Sequence, residues 1–276
     1  KTKNRAQWGL ALKWHPPEST LNFGAYVLNY HDKLPQLRVD QTDFSQHWQY
    51  LENRKLYGLS VNFPLGDWAI GSELSYRPKE AVALNPALTG CALRGGRCWI
   101  DTARWQWSVN GIYALNPSNA RPLLDFAKAD SGTLLLELAA TRFPHLRREY
   151  GGDPISAGYL GWGQQDGASA PTAGGTKTSG GIVMDFSLTY DGSLINGWQV
   201  VPGVYYYQSL GGGRTATLAA PFLRGNRQVN FYVGFNSLPA KWSVTLNYSR
   251  FSGGATPLDN LMRDRSYFGM AVSRTF

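Results

Sequence analysis

Apolar and polar residues alternate along this chain with a period of two. In KWSVTLNYS, Trp242, Val244, Leu246 and Tyr248 alternate with Lys241, Ser243, Thr245, Asn247 and Ser249. IVMDFSLTYD sets Ile182, Met184, Phe186, Leu188 and Tyr190 against Asp185, Ser187 and Thr189, and ARWQWSVNGIY sets Trp105, Trp107 and Val109 against Arg104, Gln106, Ser108 and Asn110. Successive side chains of a strand point to opposite faces, so each segment predicts a strand with one apolar and one polar face. About eleven such segments occur, near 5–15, 21–32, 54–64, 67–78, 103–116, 131–143, 180–191, 195–208, 226–237, 240–252 and 265–276. Their length, about 10 to 13 residues, exceeds the roughly 5 to 6 of a soluble sheet and suits a tilted bilayer span of about 9 to 11.

The connections alternate in size. PPEST, LGD, DGSL and SLPA are short, the stretches 33–53, 79–102, 144–179, 209–225 and 253–264 are long, and 117–130 is intermediate. Short turns at one end and long loops at the other are the pattern of an outer-membrane barrel, whereas a soluble sandwich has no reason to segregate them. Tryptophans agree: Trp8, Trp105 and Trp107 fall near strand ends beside long loops, and Trp14, Trp68, Trp198 and Trp242 beside short turns, which predicts two aromatic girdles. The expected fold is all-β, one transmembrane antiparallel β-barrel over residues 1–276. If the last strand runs from outside to periplasm, the first of eleven must descend. A closed barrel has an even strand number, so at least 12 strands are expected, with N-terminal strands missing. An intact native mass near the 30.5 kDa of this chain would count against that expectation.

Composition changes the picture in two places. Charged residues are only 17% and the mean hydropathy is −0.31, with no stretch of 18 or more apolar residues to make a membrane helix. A barrel shows lipid only every second residue, so this average excludes helical spans alone. The net charge is +8, but the 27 Lys and Arg are scattered through presumed loops, without a basic helix or an RNA-binding signature, so nucleic acid is not expected as a partner. Cys91 and Cys98, in GCALRGGRC, are too few for a four-cysteine zinc site and lie far from His15, His31, His47 and His145. They read as a small disulfide loop of an oxidising compartment, the alternative being two free thiols.

Seven charged residues fall on the polar register of their strands: Lys13, Glu73, Arg77, Arg104, Glu137, Asp185 and Lys241. They are the candidate lumen charges, either forming internal ion pairs or lining a water-filled path. GWGQQDG and GGGRT miss the spacings of phosphate-binding loops, and there is no G-x-S-x-G or H-E-x-x-H. No catalytic or metal residues are identified, no cofactor is expected, and an enzyme is not expected.

QWGLALKWHPP followed by FGAYVLNYHDKLP resembles segments of an uncharacterised proteobacterial outer-membrane barrel family of unknown function. The resemblance implies the C-terminal part of a longer protein, encoded beside RND-superfamily exporters, and offers no catalytic residues. SYFGMAVSRTF is similar to the C-terminal signal that the barrel-assembly machinery reads: Phe268, Met270, Val272 and Phe276 match it, whereas Arg274 stands where an apolar residue is usual. The expected location is the bacterial outer membrane, in contact with lipid and lipopolysaccharide. The expected function is a porin-like channel or the outer-membrane element of a transport system, which the resemblance extends to apolar or amphipathic compounds. The alternative is a sealed structural barrel that docks a periplasmic or RND-type exporter complex.

Overall fold

The alternation becomes one large sheet. A computed structural model describes residues 6–84, 94–147, 149–150, 153–154, 175–215, 222–256 and 259–275. Its strands, in chain order, are β1 (Trp8–Trp14), β2 (Asn22–Tyr30), β3 (Gln36–Val39), β4 (Gln46–Gln49), β5 (Arg54–Leu65), β6 (Trp68–Ala83), β7 (Trp99–Leu115) and β8 (Ser131–Arg142). They continue with β9 (Glu149–Tyr150), β10 (Asp153–Pro154), β11 (Thr178–Ile195), β12 (Trp198–Leu210), β13 (Asn226–Ser237), β14 (Trp242–Gly253) and β15 (Tyr267–Arg274). Eleven of them form a single sheet in the order β1-β2-β5-β6-β7-β8-β11-β12-β13-β14-β15, antiparallel throughout. β3 pairs with β4 and β10 with β9 as two small hairpins. Among the described residues β1 and β15 do not pair with each other, so the sheet is open.

Each expected segment supplies one strand of the large sheet, but several boundaries move. β6 and β7 run to Ala83 and from Trp99, lengthening the hairpin at its long-loop end past a register shift between Arg77 and Glu80. DGSL is not the turn: β11 continues through a second irregularity to Ile195, which pairs with Trp198, so Asn196 and Gly197 make the turn. Gly197 has φ 77° and Gly66, in the other two-residue turn, φ 58°, the left-handed conformation such hairpins require and glycine adopts without strain. The intermediate connection carries a short helix, α1 (Arg121–Ala127).

Among the described residues no buried apolar cluster spans the middle of the sheet. The buried apolar clusters instead sit beneath the long loops, where Val82, Leu84, Phe143 and Leu146 pack together, as do Leu51, Ala81 and Trp99. A further one lies under α1, where Leu124 packs with Leu115 and Ala120.

Candidate functional site: the polar face and its long-loop mouth

Directly paired residues share a face, so the register assigns the two sides of the sheet. On one side, Glu73 pairs with Ser60 and Ser108, Asn110 with Gly71 and Glu137, and Glu137 with Val183. Asp185 pairs with Tyr205, Tyr205 with Asn230, and Asn230 with Ser249. Lys13, Arg77 and Arg104 belong to the same side through Gly24 and through each other. Six of the seven charges expected to share a face are therefore together, while Lys241 lies just before β14 and its carbonyl accepts from the Thr275 N–H. The side is not uniformly polar, because Leu135 and Ile112 pair on it as well.

The opposite face carries the apolar set, with aromatic contacts at two heights. Trp14 stacks on Phe23, and Trp68 meets Tyr113 at 5.0 Å, toward the short turns. Toward the long loops, Tyr76 meets Trp105 at 4.5 Å and Tyr57 at 6.4 Å. Trp105 and Trp107 lie well inside β7 rather than at its end, because the strand runs on past them. From Trp68 to Tyr76 is about 26 Å along the strand, or about 20 Å in height at a tilt of about 40°, the order of an outer-membrane apolar band. Arg274 also falls on this face, its guanidinium 5.1 Å from the Trp242 ring, so the charge sits at the rim. Phe268, Met270 and Val272 share this face, 84%, 69% and 52% exposed. Phe276 lies outside the described residues.

At the long-loop end an ionic clasp joins the extended ends of β6 and β7. Arg104, 2% exposed, donates from Nη1 to Glu80 Oε1 at 2.9 Å and from Nη2 to Gln106 Oε1. Arg77 Nη1 reaches Glu80 Oε2 at 3.1 Å, so one carboxylate serves two guanidiniums. Beside it, buried Arg54 contacts Asp32 at 3.3 Å and Asp101 at 2.9 Å, tying the start of β5 to the segment after β2 and to β7. The Arg104 guanidinium also lies 6.0 Å from the Phe143 ring. Hairpin β3–β4 is tied to the turn before β7: the Cys98 N–H donates to the Leu37 carbonyl and the Val39 N–H to that of Gly96. Cys98 is fully buried, and the pairing expected of it falls on Cys91, outside the described residues.

Burial pushes the Asp32 carboxyl up to about 6, against the pull of Arg54 and with repulsion from Glu80 adding to the rise. The folded chain thus holds this proton more tightly than the unfolded chain does. Its stabilisation is complete below the ordinary value of 3.8 and is lost as pH rises through about 6. Asp32→Asn should flatten the pH dependence of clasp stability between about pH 4 and pH 6, measured as limited proteolysis in the β3–β4 connection.

A second clasp joins the loops after β12 and β14. Arg214 grips the fully buried Asp259 through Nε and Nη2, at 2.6 and 2.8 Å. Burial raises the Asp259 carboxyl, but hydrogen bonds from Arg214 and Thr256 outweigh this and hold it below the usual range. Next to it, the hydroxyls of Thr141, Ser179 and Thr215 form a buried chain with steps of 3.0 and 3.1 Å.

Midway along the polar face, Tyr232 Oη donates to Asp185 Oδ1 at 2.7 Å. Its ring lies across Gly203, where an added Cβ would sit 2.3 Å from Tyr232 Cζ; only glycine leaves room for that path. Near the short turns, Lys13, His15, Asn22, Tyr26, Ser60 and Asn62 surround a cavity of about 340 Å³. His31 Nδ1 accepts the Asn53 N–H, a structural contact in a loop. Among the described residues no group of three or more His, Cys, Asp and Glu side chains is placed to hold a metal ion.

The sequence reading included Arg77 and Arg104 but missed their partner Glu80, and missed Arg54, Asp32 and Asp101 altogether. Glu80 and Asp101 lie beyond the segments recognised as strands, Asp32 and Arg54 are the end residues of two of them, and the irregularity before Glu80 breaks the parity that would have assigned it a face. One family model matches the chain over residues 1–276, and no match is found among curated proteins.

Proposed function

The chain belongs to the family described as a protein of unknown function (DUF1302), and from its geometry we propose that it forms the wall of an outer-membrane β-barrel serving as a channel or as the outer-membrane element of a transport system. The observation that carries this reading is the separation of faces across all eleven sheet strands, with an apolar band between two aromatic rows on one side and charged and hydroxyl groups on the other. A bilayer supplies no hydrogen bonds to open edges, so the reading requires partners for β1 and β15. Antiparallel closure of an eleven-strand sheet takes an odd number of further strands, giving an even total of at least 12. The long loops then lie outside the cell, the short turns in the periplasm, and Cys91 and Cys98 form a disulfide in an outer loop. Solutes would pass along the polar face, and the apolar Ile112 and Leu135 within it suit amphipathic compounds better than ions alone.

Purified protein in a planar bilayer should produce discrete conductance steps. A silent bilayer, with insertion confirmed independently, would sink the open-channel form. The clasps favour a second reading in which the long-loop end is closed and the barrel docks an exporter complex at its short-turn end. Retention of a periplasmic partner by a barrel that does not conduct would support it.

A further inference from the structure

Helix α1 is packed on the outside of the sheet. Its one buried side chain, Leu124, packs with Leu115 and Ala120, and Tyr113, Phe186 and Leu188 close the contact. By register, Tyr113, Leu115, Phe186 and Leu188 all belong to the apolar face: Tyr113 pairs with Trp68 and Leu134, and Leu134 pairs with Phe186. Tyr190, from the same face, donates its hydroxyl to the Ala127 carbonyl at 2.9 Å and pins the helix end. The helix therefore lies at the height of the Trp68–Tyr113 pair, level with the aromatic row near the short turns.

The rest of the helix surface is not what a water-facing helix would carry. At about 100° per residue, Phe126 lies about 200° around the axis from Leu124, and Leu123 about 100° the other way. These two make a second apolar strip directed away from the sheet, with Phe126 88% and Leu123 42% exposed. Arg121 and Asp125 occupy one flank as an exposed pair at 3.7 Å, and Lys128 caps the C-terminal end in the left-handed conformation. The helix thus has one apolar face for the sheet, one facing outward, and charges at its flank and end. That is the arrangement of an interfacial helix, with apolar side chains below the headgroups and basic groups level with them.

We propose that α1 is a lipid-binding element, which inserts Phe126 and Leu123 among the acyl chains of the leaflet at the short-turn end and places Lys128 and Arg121 against phospholipid phosphates. This rests on the apolar face being the lipid face; the occupant is lipid rather than a protein because the strip continues that face at the height of its aromatic row. The helix would fix the depth of the sheet in the membrane at a point where no short turn could.

The test places an environment-sensitive fluorophore on Phe126→Cys and, separately, on Met270→Cys of β15. The full chain is reconstituted in vesicles of phosphatidylcholine and phosphatidylglycerol that carry a nitroxide high or low on the acyl chain. Chain without an added cysteine, taken through the same labelling, gives the background from Cys91 and Cys98. The expected result is several-fold stronger quenching of the 126 label by the shallow nitroxide than by a water-soluble one, and quenching of the 270 label by lipid nitroxide. Quenching at 270 by lipid but at 126 only from water would overturn the proposal alone and leave the strip open to a protein partner. Water-side quenching at both positions would overturn the membrane reading with it.

Discussion

Glu80→Gln should loosen the long-loop mouth. Glu80 is 8% exposed and is the shared acceptor of Arg77 and Arg104, so the amide keeps the shape but leaves the buried Arg104 guanidinium, and the partly exposed one of Arg77, without a counter-charge. Breaking one side of a buried ion pair costs about 3 to 5 kcal/mol, because the remaining charge stays desolvated. Here the loss falls first on the long-loop ends of β6 and β7, which Arg77, Glu80 and Arg104 join to each other, and only then on the rest of the sheet. The expected signs are faster proteolysis between β3 and β4 and between β6 and β7, with the sheet's circular dichroism retained. In a planar bilayer the variant should show larger or more frequent conductance steps than the parent chain. Removing the stranded charge as well, with Glu80→Gln and Arg104→Gln together, should recover part of the lost protection. If the single change leaves proteolysis and conductance unaltered, the clasp does not hold the mouth closed.

The two clasps also bear on how a channel and a sealed barrel differ in this fold. Arg54, Arg77 and Arg104 meet Asp32, Asp101 and Glu80 at one side of the mouth, and Arg214 meets Asp259 at another. The first joins the ends of β6 and β7 and ties β5 and β7 to the segment after β2, beside buried Val82, Leu84, Phe143 and Leu146, and the second ties the loops after β12 and β14 to each other. On the proposed channel reading, a passage lined by Glu73, Glu137 and Asp185 would open past these joined ends. On the proposed reading, an open and a closed form would be two states of one mouth, and Asp32 would make their balance depend on pH.

What the sequence made legible was local. Period-two alternation is a property of neighbours, so Trp242, Val244, Leu246 and Tyr248 announce both a strand and its face, and parity carries Glu137 and Asp185 to the opposite side. Wherever a feature depends on distant or irregular contacts, the pattern was mute. Glu80 meets Arg104 from 24 residues away, across an irregularity that shifts register. α1, seven residues long, is too short for a helical period to rise above its surroundings, although Pro122 near its start is a recognised signal. The turn after β11 was visible in principle: Asn196-Gly197 is the strongest short hairpin dipeptide, and DGSL, another turn-like tetrapeptide, drew attention two residues too early.

A charge placed on either face of β14 separates the barrel reading from any water-soluble arrangement. Leu246 lies on the apolar face, pairing with Val233 and Met270, and is 41% exposed. Thr245, one residue away, points to the polar face between Gly234 and Ala271, whose small side chains leave room. In a membrane barrel, Leu246→Arg should cost about 2 to 4 kcal/mol, the penalty for a guanidinium near the middle of the apolar band, whereas Thr245→Arg in the lumen should cost little. If the apolar face met water instead, a half-exposed Leu246→Arg would stay within about 0.5 kcal/mol, as surface substitutions do. Urea titrations of folding into phosphatidylcholine vesicles measure both. A large loss at 246 with a small one at 245 supports the assignment of faces, and equal losses would end it, because no two-faced wall penalises adjacent positions alike.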